Sequence, residues 1–382
     1  MKCYNISYEK MAWSGIENVP SESSENEFLL IFASRDLLEQ PQWLEPLRNR
    51  FPKTPFIYCS TAGEINRNLI NEETAQCSLV QFDKTMVKIN IDNVVGYKNS
   101  FELGKAMVKR IDMDQLKHIL IFVDGQIVNS DDLLSGMQVE TQKDVLISGG
   151  VSGDGNRFTK TLVGLNDDLK PGNVVLIGLY GDNVRIGTSY QGGWDIFGVE
   201  KMITKSEGNV LHEIDQENAL DLYKKYLGQY ANELPGSALL FPISIKSQDS
   251  DSYIVRTILS VDEKNKTMTF AGNVPEGSNI RFMKSSVESL IQAAAVAGAE
   301  AIKQISDEKA EAQLALFVSC VGRKTAMGSR AEEEVEAALE QMPENVNVVG
   351  FFSYGEIAPN KNNRINYLHN QTMTITTIGE LS

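Results

Sequence analysis

Three short, wholly apolar runs recur along the chain, and each leads to a second apolar run that ends in small or polar residues. Leu29-Leu30-Ile31-Phe32 leads to Phe56-Ile57-Tyr58-Cys59, and Ile119-Leu120-Ile121-Phe122 leads to Val145-Leu146-Ile147 and then Ser148-Gly149-Gly150. Leu314-Ala315-Leu316-Phe317 leads to Asn347 through Phe352. Apolar runs without alternation, separated by helical stretches, predict strand–helix–strand units whose strands are buried on both faces. The pattern leaves open whether the three units share one sheet or lie in two. The predicted fold class is α/β with mixed α+β character. Two domains would carry mixed sheets of strand–helix–strand units and hairpins, with helices covering the outer faces.

The intervening helices carry start and stop signals. Ser329 with Glu332 reads as a capping box, and Glu332, Glu333 and Glu334 suit the positive end of the helix macrodipole. Val335, Ala338, Leu339 and Met342 continue as an inward stripe. Ser285 with Glu288 repeats the box ahead of a small-residue helix. Asp215 is placed to cap a helix through Leu220, Tyr223 and Leu227, with Gly228 ending it. In the first unit, Pro41 and Pro46 must start or kink the helix.

Between the second and third units the texture becomes antiparallel. Val174–Tyr180 and Val184–Ser189 flank Gly181-Asp182-Asn183 as a predicted hairpin. Tyr253–Val261 and Thr267–Phe270 flank a second. These signals set the predicted domains at 1–200 and 201–382, with the boundary near 190–210, after Gly192-Gly193-Trp194.

Composition narrows the function. The chain has 382 residues, 42% hydrophobic and 23% charged, with a formal charge of −15. That charge argues against broad nucleic-acid binding and against adhesion to an anionic membrane. Met1 to Asn5 lacks the apolar stretch of a secretory signal, and Val174 to Tyr180 is too short to span a bilayer. Cys3, Cys59, Cys77 and Cys320 show neither metal spacing nor disulfide density, which suits a reducing cytoplasm.

Candidate chemistry lies where the strands end. The phrase Gly-Glu-Ile occurs twice, at Gly63-Glu64-Ile65 after Ser60-Thr61-Ala62 and at Gly355-Glu356-Ile357 after Ser353-Tyr354. Each offers hydroxyls, a permissive glycine and a carboxylate beyond an apolar strand, where α/β sheets bind ligands. The run Ser148 to Gly155 lets backbone N–H groups approach an anion, with Gly149 and Gly150 as a floor. It lacks the ending of a P-loop and does not fit GxGxxG. Arg323 follows its strand as Arg35 follows Ala33-Ser34. It could grip a ligand carboxylate, or pair with Glu64 or Glu356 and only knit the units together. A Glu64/Glu356 pair could also serve a carboxylate-dependent hydrolase. Against that, Ser60, Ser152 and Ser353 sit in no GxSxG elbow. Three histidines, His118, His212 and His369, support neither a catalytic triad nor a zinc site. A single imidazole could still ligate haem non-covalently. Of the aromatics Trp194, Phe197, Phe351, Phe352 and Tyr354, strand spacing sends most to the core, and Tyr354 beside its turn is the one expected in a pocket.

The stretch from Gly322-Arg323 through Glu334-Val335 to Val349-Gly350-Phe351-Phe352-Ser353-Tyr354-Gly355-Glu356-Ile357-Ala358-Pro359 resembles the FIST C-terminal domain. Asp215 through Gly228 resembles that domain's start. Ser60 to Ile65, with Gly149-Gly150 and Gly153-Asp154, resembles the FIST N-terminal domain. The resemblance implies a stand-alone, non-catalytic cytoplasmic sensor that binds a small ligand, an amino acid or a related molecule, between its domains. It implies signalling to a partner protein. Some similar stand-alone members are haem b nitric-oxide sensors that regulate a histidine kinase of a two-component system, and His212 is the candidate ligand under that alternative. The residues expected to form the ligand site are Ser60, Thr61, Gly63, Glu64, Gly149, Gly150, Arg323, Ser353, Tyr354, Gly355 and Glu356, with no catalytic residue and no metal.

Overall fold

Each of the three predicted units builds a sheet of its own, rather than one sheet or two. The structure, a computed structural model, describes residues 1–20, 23–142, 144–234, 236–246, 253–360 and 365–381. Its class is α/β with mixed sheets. The first sheet runs in the order Asp168–Lys170, Val163–Leu165, Phe56–Ser60, Glu27–Ala33, Ala75–Gln81, Lys2–Glu9, Ala12–Ser14. The second runs Asn366–His369, Gly355–Pro359, Leu146–Val151, Leu116–Val123, Asn173–Tyr180, Met86–Asn93. The third runs Leu69–Asn71, Glu64–Asn66, Asn347–Ser353, Leu314–Cys320, Met373–Glu380, Val184–Gln191.

These orders are one topology repeated three times. In every sheet the two central strands are parallel, with Leu29 opposite Phe56, His118 opposite Leu146 and Leu314 opposite Asn347. Their outer neighbours are antiparallel. The hairpin that follows each second central strand leaves its own unit and edges another sheet. The first unit's hairpin joins the third sheet, the third's joins the second, and the second's joins the first. The exchange is circular, so no unit completes a sheet alone.

Strand periodicity explains the core. Successive side chains on a strand point to opposite faces, and Leu30 and Phe32 turn inward with Leu120, Phe122, Leu316 and Val318. The phenyl rings of Phe32, Phe122 and Phe351, one from each sheet, meet pairwise at centroid separations of 5.6, 4.7 and 6.2 Å. The intervening residues face outward. Ile119, Ile121, Ala315 and Phe317 lie beneath the helices of the second and third units, and Leu29 and Ile31 lie under the first unit's short helices. The described residues of 195–284 form a separate antiparallel sheet with helix Ala219–Leu227 and a core of their own.

Several local expectations need correction. Gly181-Asp182-Asn183 is not a hairpin, because Asn173–Tyr180 stays in the second sheet while Val184–Gln191 pairs with Met373–Glu380 in the third. The two strands pair with different neighbours, in different sheets. The second hairpin is present but shorter, Ile258–Asp262 with Thr267–Phe270. Asn218, not Asp215, caps Ala219–Leu227, since Asp215 is engaged with Lys201 and the Met202 N–H. Gly228 does end that helix, at φ 57°. Ser286 rather than Ser285 caps Val287–Asp307. Ser329 caps nothing, because a 3-10 turn at Gly328–Arg330 moves the helix start to Ala331. Pro41 and Pro46 each start a piece of broken helix, Pro41–Leu44 and Glu45–Arg50.

Candidate functional site

The three strand-end turns meet. Ala62 N–H donates to Phe352 O at 2.8 Å, Tyr354 N–H to Val151 O at 3.2 Å, and Gly153 N–H to Ser60 O at 2.8 Å. Each turn therefore hands a hydrogen bond to the next, and the ring closes. Backbone groups at a strand end must be satisfied somewhere, and the circular exchange of hairpins makes the other turns the available partners.

Two of the turns carry the same carboxylate cradle. Thr61 donates its hydroxyl to Glu64, which also accepts the Thr74 hydroxyl at 2.7 Å and the Thr74 N–H at 3.3 Å. Ser353 donates to Glu356 at 2.7 Å, and Glu356 accepts the Thr372 hydroxyl at 2.9 Å and the Thr372 N–H at 3.0 Å. Both carboxylates are buried. Burial raises Glu64 to about 7 and Glu356 to about 8, against the opposing pull of those hydrogen bonds. The second unit's turn carries Asp154 instead. Burial works to raise that carboxyl too, but donors from Tyr354, the Lys160 and Thr159 N–H groups and the Thr159 hydroxyl outweigh it and hold Asp154 below the usual range. Arg35 pairs with it at 2.9 Å.

A cleft of about 460 Å³ opens over this ring. Its wall includes Thr61, Gly63 and Glu64 of the first unit's turn, Asp154 to Arg157 of the second unit's loop, and Lys324, Thr325 and Gly328 from the third unit's helix. Asp36, Glu72 and Glu73 add further carboxylates to the wall. Lys324 donates to Ala62 O at 2.8 Å, pairs with Glu72, and lies 5.4 Å from the centre of the Phe352 ring. Arg157 pairs with Asp36 at 2.8 Å. The cleft thus presents two cations among several carboxylates. Gly63 must be glycine here: at φ +132° a Cβ would lie 2.7 Å from the Lys324 ammonium.

Of the residues singled out in the sequence, Thr61, Gly63 and Glu64 line the cleft. Ser60 lies beneath it, its hydroxyl accepting the Leu162 N–H. Gly149 and Gly150 are inside a strand, where added side chains would strike Ile121 O and Val318, so they serve packing. Ser353, Gly355 and Glu356 sit behind the wall in the ring of turns. Tyr354 braces the wall from behind, donating to Asp154, accepting from Phe158 N–H at 3.2 Å and stacking on Phe158. Arg323 is fully buried and pairs with neither Glu64 nor Glu356. Its partner is Glu334 at 2.8 Å, and it also donates to Leu290 O. Phe351 and Phe352 are core. His212 is half-buried on strand Val210–Ile214 and is not on the cleft wall. His118 and His369 are buried, and burial lowers both to about 3.

The family models match along this architecture. One, the FIST N domain, matches residues 27–217, and the other, the FIST C domain, matches 219–359. The chain belongs to the FIST family. FIST domains are signal-transduction sensor domains. An uncharacterized protein of Methanocaldococcus jannaschii is 23% identical over 375 residues, covering 86% of this chain and 69% of that protein. Among solved structures, a cyanuric acid hydrolase from A. caulinodans covers 78% of this chain and 100% of its own at 11% identity, with a TM-score of 0.20. At that TM-score the likeness carries no argument about fold or chemistry. The walls of the cleft come from both matched FIST domains. Among the described residues no helix is long and apolar enough to cross a membrane, and no cluster of His, Cys, Asp and Glu could hold a metal ion.

The sequence reading missed Lys324, Arg157, Glu72 and Asp36. Lys324 adjoins Arg323 at the start of helix Val321–Met327. The helix turns the arginine into the core and the lysine onto the cleft, a choice no local pattern announces.

Proposed function

We propose that this FIST protein is a non-catalytic sensor that binds a small zwitterion, an amino acid or a close relative, in the cleft above the ring of turns, and signals to a partner protein. The observation that carries the reading is the composition of the wall, in which segments of three units bring Lys324 and Arg157 together with Glu64, Glu72 and Asp36. A ligand carboxylate would draw on the cations and its ammonium on the carboxylates. The volume is that of a small-molecule site. A molecule that touches all three units favours whichever arrangement of them it fits, and so shifts a conformational equilibrium that a partner such as a histidine kinase can read.

A thermal-melting screen against free amino acids tests this. A binding amino acid should raise the melting temperature of the native chain, and Lys324→Ala should remove most of that rise while leaving the unliganded melting temperature little changed. No stabilisation by any member of the panel, or full stabilisation of the variant, would reject the assignment. The hydrolase alternative gains nothing from the geometry, because Glu64 and Glu356 are each tied to their own turn and Glu356 is behind the wall.

A further inference from the structure

A second cavity, of about 720 Å³, lies on the first sheet away from the ring of turns. Its origin is an interruption in the threefold repeat. In the second unit, helix Ser130–Glu140 packs onto the exchanged hairpin, and Gln138 bonds the Asn366 carbonyl. In the third, helix Ala331–Leu339 does the same, with Glu332 accepting the Ile70 N–H. In the first unit Pro41 and Pro46 break the corresponding segment into two short pieces. The Arg48–Asp167 pair reaches across to the hairpin Val163–Leu165/Asp168–Lys170, and a space stays open between.

Leu38, Leu44, Leu162 and Leu169 form an apolar strip of the wall, among charged and amide side chains. Tyr58 lines the cavity while only 1% exposed, and its hydroxyl makes no well-aligned hydrogen bond, although the Arg48 guanidinium lies within reach. A buried hydroxyl without such a bond is costly and uncommon in a native core. The Arg48 guanidinium also lines the cavity, close enough to Tyr58 to favour its ionised form while burial pushes the phenol up to about 12. Arg48 pairs with the largely exposed Asp167, an ion pair of small worth that a competing anion can replace. The remaining charges at the rim, Lys160 and Lys170 against Glu39 and Glu45, offset one another.

We infer that this cavity is a second ligand site, and that it takes a small monocarboxylic acid with an apolar body. The body lies along the leucine strip, and the carboxylate accepts from the Tyr58 hydroxyl and the Arg48 guanidinium.

Titration calorimetry with phenylacetate, using phenylacetamide as the neutral counterpart, tests the assignment on the full chain. Phenylacetate should bind at millimolar concentration or below, and more tightly than phenylacetamide. Tyr58→Phe should weaken phenylacetate about tenfold or more while leaving the unliganded protein about as stable as before, because the hydroxyl it removes makes no well-aligned hydrogen bond. Leu169→Trp, which fills the space, should abolish binding, and Lys324→Ala at the other cleft should leave it intact. Absence of phenylacetate binding, equal binding by Tyr58→Phe and Leu169→Trp, parity with phenylacetamide, or a loss of stability in unliganded Tyr58→Phe would each overturn the proposal.

Discussion

The Lys324 ammonium donates to the Ala62 carbonyl at 2.8 Å and occupies the space a side chain on Gly63 would need. One lysine of the third unit is thereby fitted to one glycine of the first, and the cleft depends on that fit. Gly63→Ala should displace Lys324 and force a non-glycine residue into a positive φ. The expected cost is about 1–3 kcal/mol in urea denaturation, with loss of ligand-induced stabilisation. Gly155→Ala is the control. Its φ is +72° but nothing lies within 4 Å of the added methyl, so it should lose stability from the backbone alone and keep its ligand response.

Stability should be flat between about pH 4.5 and 6.5 and fall on both sides. Glu64 and Glu356 have folded values raised to about 7 and 8, so their contribution is full below 4.5 and lost as pH rises through those values. His118 and His369 are lowered to about 3, so theirs is full above 6.5 and lost as pH falls. Between 4.5 and 6.5 the opposing slopes cancel. Above 6.5 the carboxylates alone act, and a decline on the order of a few kcal/mol follows by pH 8. Below 4.5 the histidines are joined by Glu380, whose hydrogen bonds and N-terminal amine partner outweigh its burial and hold it at about 2. Denaturation across pH measures this. Glu356→Gln should reduce the alkaline decline, and an unchanged slope would refute the role given to its burial.

Arg323→Ala should be among the most damaging single substitutions. It leaves the Glu334 carboxyl buried and without its ion-pair partner, at a cost of about 3–5 kcal/mol. Replacing both by apolar residues of similar size, Arg323→Met with Glu334→Leu, should recover much of that loss, since a well-packed apolar pair is often as stable as a buried ion pair. A mild effect of Arg323→Ala on the melting temperature would contradict the pairing.

Tyr354→Phe removes the donor to Asp154 and the acceptor for Phe158 N–H but keeps the ring stack. The loss should be about 1–3 kcal/mol. Hydrogen exchange should quicken at Phe158 and its neighbours while the Phe32–Phe351 core stays protected. Uniform loosening of the whole chain would argue that Tyr354 has no local bracing role.

The repeat was legible because apolar runs such as Leu29–Phe32 and Ile119–Phe122 carry their own evidence of burial on both faces. Gly-Glu-Ile at 63 and 355 marked two of the three turns, and Asp154 in its glycine-rich run hid the third behind a different carboxylate. Arg323 reads as a ligand residue on charge and position, but its orientation depends on Glu334 and on the Leu290 carbonyl, which come from other helices. The false hairpin at Gly181 has the same root. Two strands joined by a tight turn look like partners until a distant segment, here Met373–Glu380, supplies better ones.

By itself the amino-acid sequence determined the strand–helix–strand units, their buried strands, the glycine–carboxylate turns and membership of the FIST family, because these rest on side-chain periodicity, backbone freedom and short contiguous motifs. The tertiary structure alone decided that three sheets exchange hairpins in a circle, that the turns join in one ring, and that Lys324 rather than Arg323 faces the cleft. Those outcomes depend on which strand edges and which buried charges find each other across hundreds of residues, and such pairing energies belong to the packed chain rather than to any stretch of it.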